Sequence, residues 1–183
     1  MIFMSKQDLG SIKDFFKREI ENGTYFLHHE EVFQVWQQAL AEKAKNGGWD
    51  QELEGLSCEI LAGLAVYHPH AYRKEFEAVI QDSQISEEGK MKALHVIRHH
   101  FLDPDHASSC LRLYKMFLES PHPGLKDFAA RSFMQLLTEM RVGGQITSVL
   151  SKDDSRKEIE NILKSLSGEG WVEADELLDF LEF

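Results

Sequence analysis

The sequence predicts an all-α protein of about nine helices in antiparallel pairs, arranged as an irregular α-solenoid or a helical bundle. Three observations carry this expectation. Apolar residues recur at helical spacing nearly throughout. Leu125, Phe128, Ala129, Phe133, Leu136, Leu137 and Met140 step by three, four and one, which places them in one stripe on a 3.6-residue period. Ala107, Cys110, Leu111, Tyr114, Phe117 and Leu118 make a second stripe, and Leu53, Leu56, Ile60, Leu64 and Tyr67 a third. No segment alternates with β-branched residues as a half-buried strand would, and Thr occurs only at positions 24, 138 and 147. Finally, Gly and Pro punctuate the chain where helices would stop and start.

A first helix opens near Ser5 and ends at Asn22-Gly23. A second ends at Asn46-Gly47-Gly48, because Gly adopts the left-handed conformation that closes a helix. The third stripe follows. Helices then open at His68-Pro69, Asp103-Pro104 and His122-Pro123, since the missing N–H of Pro has no helical partner at a first position. Asp103 reads as an N-cap, and His68 and His122 as weaker ones. Ser86 followed by Glu87-Glu88 opens another helix, with acids at its positive end. Arg141-Val142-Gly143-Gly144 closes the helix begun at Pro123. Helices over 152–166 and 171–182 complete the set.

At 183 residues the chain is expected to be a single all-helical domain over 1–183, with 171–183 as a semi-independent acidic helix. A hydrophobic share of 43% suits a globular core. Two cysteines, Cys58 and Cys110, exclude a disulfide scaffold; both fall on apolar stripes, which predicts buried and inert thiols. No apolar run is long enough for a membrane helix. The opening Met1-Ile-Phe-Met-Ser-Lys lacks the pattern of a signal peptide, so a cytoplasmic location is expected.

Pro69 and Pro104 stand 35 positions apart, with a helix pair after each. Leu102-Asp103-Pro104-Asp105-His106 and Ser120-Pro121-His122-Pro123-Gly124-Leu125-Lys126-Asp127-Phe128-Ala129-Ala130-Arg131 mark the starts of such pairs. Across 69–140 the chain resembles HEAT-type helical repeats. That resemblance implies stacked helix pairs with a face left open for a partner. The small residues Gly55, Ala62, Gly63 and Ala65 would let one helix approach its neighbour closely.

Chemistry is sparse. His95 and His99 lie four apart on one helix face, and His106 with Asp103 follows across a turn. Such a set suits zinc and gives a reading as a metal-binding helical protein or enzyme. The plainer alternative has His95 lining a helix interface, with His99, His100 and His106 exposed and polar, and no cofactor is expected. The acid that metalloproteases carry beside the first His is missing, for Val96 follows His95. Glycine-rich phosphate loops, Gly-x-Ser-x-Gly and paired Glu-x-x-His runs are missing too.

The charge carries more. With 31 acids against 20 bases the net charge is −11, the wrong sign for a nucleic-acid backbone or an anionic membrane. It attracts a basic protein. Acids concentrate in 51–85 (Glu52, Glu54, Glu59, Glu75, Glu77) and in 171–183 (Glu173, Asp175, Glu176, Asp179, beside Trp171). In the second stretch Val172, Leu177, Leu178 and Leu181 are expected to share one apolar face. These features predict a non-enzymatic module that binds a basic protein. A concrete form is an immunity or inhibitor protein that masks the basic active site of a toxin or nuclease. A homo-oligomeric scaffold, paired through the apolar face of 171–183, is the remaining alternative.

Overall fold

Several helices begin where a polar side chain or a proline relieves the unpaired N–H groups of a first turn. Asp8 accepts from the N–H of Ser11 at 2.8 Å and opens α1 (Leu9–Asn22). Gly23, at φ +63°, closes it by donating its N–H to the carbonyls of Glu19 and Ile20. A short 3-10 helix, Tyr25–His28, leads into α2 (His29–Asn46), which Gly47 ends at φ +70°. Asp50 caps α3 (Gln51–Tyr67) through the N–H of Leu53. Pro69 starts α4 (Pro69–Gln81), and Ser86 starts α5 (Glu87–Phe101) by accepting from the N–H of Gly89. Next come α6 (Ala107–Leu118), α7 (Pro123–Val142), α8 (Ile146–Leu150), α9 (Asp153–Gly168) and α10 (Val172–Leu181). The computed structural model describes residues 8–101, 103 and 105–181, the side chain of Asp153 excepted. Among the described residues there are ten α-helices and no strand, so the protein is all-α.

The fold comprises two compact units, Met1–Val96 and Ile97–Phe183. In the first, α3 is the central element. Leu53, Ile60, Leu61, Leu64 and Val66 are buried on several sides of it, whereas α1 and α2 bury one stripe each. Trp36 of α2 donates its indole N–H to the carbonyl of Ser57 at 3.2 Å. Gly63 presents bare backbone to the Tyr25 ring, and Gly55 does the same for the Lys92 side chain. Close approach, expected at both glycines, is what these two positions provide.

The second unit is built around Phe101, Tyr114 and Phe133, three fully buried rings meeting at centroid distances of 6.4, 6.4 and 5.4 Å. Tyr114 Oη and Ser132 Oγ share a hydrogen bond of 3.2 Å, which satisfies both buried hydroxyls. Helices α6 and α7 pack together, and α10 packs on α9 and α7.

The structure departs from the expected elements at specific points. The side chain of Asp103 accepts from the N–H of Asp105 at 3.0 Å, making a turn, and α6 begins four residues beyond it, at Ala107, with His106 at its N-cap position. Ser5 and Pro104 lie outside the described residues. The 3-10 helix and α8 are too short for periodicity to reveal them. Within the α7 stripe Phe128 is half exposed, while Leu125, Ala129, Phe133, Leu136, Leu137 and Met140 are buried. All six residues of the α6 stripe are buried, Cys110 included.

Candidate functional site

The two acidic stretches have different fates. On α3 and α4 the acids are engaged or sheltered. Glu52 receives Lys17 at 2.6 Å and Lys13 at 3.0 Å, and these two ammonium groups, Lys17 foremost, hold its carboxyl below the usual range. Glu54 is buried, and its carboxylate accepts from the N–H and the hydroxyl of Ser86. It therefore anchors the start of α5 and is no part of a docking surface, contrary to the expectation for this residue. Burial pushes the Glu59 carboxyl up, against the opposing charges of Lys92 and His95. Arg73 reaches Glu77 at 2.6 Å one turn away, and Glu75 is partly exposed on α4.

On α10 the acids face solvent. Glu173, Asp175, Glu176 and Asp179 are all exposed. Ser167 donates its hydroxyl to Asp175 at 2.5 Å. Among the described residues no basic side chain pairs with Glu173, Glu176 or Asp179. The helix is tied down by its inner side, where Ala174 and Leu177 are buried. Val172 is 65% exposed, so it does not share a face with Leu177 as expected; five residues turn a helix by about 140°. Val172, Glu176 and Phe180, spaced by four, line the outer face, where Phe180 is 50% exposed.

Two arginines of α7 reach this segment. The Arg131 guanidinium lies 5.1 Å from the Trp171 ring centroid, and that of Arg141 lies 3.9 Å from the Phe180 centroid. Sequence reasoning missed both contacts. The ten residues from Arg131 to Arg141 span about 15 Å of helix, close to the rise from Trp171 to Phe180. That match in length was the available signal, but nothing in the order of residues shows that α7 and α10 are neighbours.

The histidines form no comparable set. His95 and His99 are exposed on α5, and His106 Nε2 lies 3.7 Å from Asp103 Oδ2. Among the described residues no group of three or more His, Cys, Asp or Glu side chains is placed to hold a metal ion. His100 is held down to about 4, chiefly by burial and then by the positive charges of His99 and His106. Burial pushes the thiol of Cys58 up to about 12 and raises that of Cys110 as well, which leaves neither a ready nucleophile. A cleft of about 340 Å³ runs between α6, the start of α7 and α9. Leu118, Ile162 and Leu166 floor it, and the ion pairs Lys115–Glu158 and Lys126–Glu169 border it. Among the described residues no helix is long and apolar enough to cross a membrane.

These features define a helical protein with an exposed helix face that bears carboxylates and an aromatic ring. The chain matches no protein-family model, no curated protein and no solved structure at a level that marks kinship.

Proposed function

We propose that this protein is a non-catalytic binding module whose α10 face receives a basic protein. One observation carries the reading: among the described residues no basic side chain pairs with the exposed Glu173, Glu176 and Asp179, and these acids surround the exposed apolar side chains of Val172 and Phe180. An interface needs an apolar anchor for affinity and complementary charge for encounter, and this face supplies both. The acids of 51–85 support the reading less, because Glu52 and Glu77 are paired and Glu54 is buried.

The concrete form we favour is an immunity or inhibitor protein acting in the cytoplasm on a basic toxin or nuclease. Carboxylates on a helix take the place of phosphates in the partner's basic site. Stacked helix pairs of HEAT type are the scaffold that belongs to this proposal.

The test is calorimetric titration with the product of the neighbouring reading frame, repeated as salt is raised. Binding that weakens with salt, and weakens about tenfold or more in a Glu173→Gln, Glu176→Gln, Asp179→Asn variant, supports the reading. Affinity indifferent both to salt and to this variant refutes charge-led docking on α10.

A further inference from the structure

Resting on that reading of α10, we infer that the face selects arginine over lysine in its basic partner. The protein itself shows the chemistry. Arg141 stacks on Phe180 at 3.9 Å, and Arg131 stands over Trp171 at 5.1 Å, so both aromatic rings among the described residues of the segment are already read by guanidinium groups from α7. Arg141 uses only part of Phe180, whose side chain stays 50% exposed. It also leaves the surrounding carboxylates unneutralised. Glu173 and Glu176 lie seven and four residues before Phe180, on the same side of the helix, and Asp179 is adjacent to it. The open part of the ring is thus bordered by charges that have no basic partner among the described residues.

Such a surface fits a planar cation better than a compact one. A guanidinium lies flat on a ring while its edge N–H groups point outward to carboxylates, whereas an ammonium is a strongly hydrated point charge that meets the ring and the acids less well together. The occupant is therefore an arginine-bearing basic segment of a partner protein, one arginine stacking on Phe180 and bonding Glu173 or Glu176. Charge complementarity with the exposed acids of α10 brings it there.

The experiment uses two fluorescein-labelled peptides of equal length and charge, one alternating Arg-Ala and the other Lys-Ala, titrated with the full chain at low salt and followed by anisotropy. The arginine peptide should bind about threefold tighter or more. Phe180→Leu, a change at a half-exposed position that leaves the buried side of α10 intact, should bring the ratio close to one while lysine-peptide binding persists. Glu176→Gln should weaken both peptides. Equal binding of the two peptides to the wild type overturns the arginine selectivity and leaves the basic-partner reading standing. A ratio unchanged by Phe180→Leu overturns the selectivity at this ring. Failure of both peptides to bind, or binding unaffected by the Glu173→Gln, Glu176→Gln, Asp179→Asn variant, overturns the α10 reading itself. A dimer in sedimentation that Phe180→Leu abolishes would make a second copy of this chain the occupant, and would overturn both.

Discussion

Replacing Gly63 by Ala tests how tightly the first unit is built. In an ordinary helix interior this change stabilises by about 1 kcal/mol, because Ala loses less backbone freedom than Gly. Here a Cβ at position 63 would overlap the Tyr25 hydroxyl and stand 2.6 Å from both Cε2 and Cζ of that ring. Tyr25 is only 6% exposed, so the ring has no room to retreat without moving the 3-10 helix that carries it. That helix also holds the Phe26–Tyr67 stack, with centroids 3.9 Å apart, and the His28–Glu19 bond of 2.6 Å. Overpacking of this kind costs about 1–3 kcal/mol, and disturbance of the two neighbouring contacts puts the expected cost at the upper end. The net expectation is a destabilisation of about 2 kcal/mol, read from urea unfolding by circular dichroism. Gly10→Ala is the control, because the nearest atom to its new Cβ is Asp8 Oδ1 at an ordinary 3.5 Å. It should stabilise by about 0.5–1 kcal/mol. Tyr25→Phe removes the first of the clashing atoms but leaves the ring carbons, so Gly63→Ala should cost less in that background and still cost something. If Gly63→Ala stabilises as much as Gly10→Ala, the close approach of α3 and Tyr25 is not a real constraint.

Three further outcomes follow from particular contacts. His100 stays neutral in the folded chain down to about 4, against an ordinary 6.5. Its contribution is therefore complete above about pH 6.5 and is lost as pH falls toward 4, because the unfolded chain takes up the proton first. Halved for the partial exposure of the ring, the loss between neutral pH and pH 5 is about 1 kcal/mol, and the unfolding free energy of His100→Gln from urea titration should fall by that much less over the same range. His28→Ala strips the buried Glu19 carboxylate of its 2.6 Å partner and should cost about 1–3 kcal/mol; His28→Gln should recover part of this, and equal losses in the two would show that the bond does not matter. Leu177→Asp, at a position 4% exposed, should destabilise by about 3 kcal/mol or more, while Val172→Asp, at a position 65% exposed, should stay within about 0.5 kcal/mol; similar thermal shifts for the two would contradict the orientation of α10.

The residues legible in advance were those whose environment is set by neighbours close in the chain. The α6 stripe from Ala107 to Leu118 and six of the seven α7 positions are buried as their spacing requires. The stops at Gly23 and Gly47, and the start at Pro69, stand where local backbone preference puts them. Helical spacing read loosely puts Val172 and Leu177 on one face, but five residues of helix turn them about 140° apart, one exposed and one buried. Glu54 looked like any other acid of its stretch, because nothing local shows that Ser86, 32 residues away, turns its backbone N–H toward it.

Order along the chain by itself determined the longer helices, most of their approximate ends, the apolar stripes and the surplus of carboxylates. These depend on periodicity, on φ preferences and on composition, which are properties of short windows. Tertiary structure alone decided which carboxylates are spent. It placed Lys13 and Lys17 on Glu52, buried Glu54 under Ser86, and laid Arg131 on Trp171 and Arg141 on Phe180, leaving Glu173, Glu176 and Asp179 without a basic partner among the described residues. The physical reason is that helix neighbours are chosen by packing over long sequence separations, and the availability of a charge depends on those neighbours rather than on the residue that carries it.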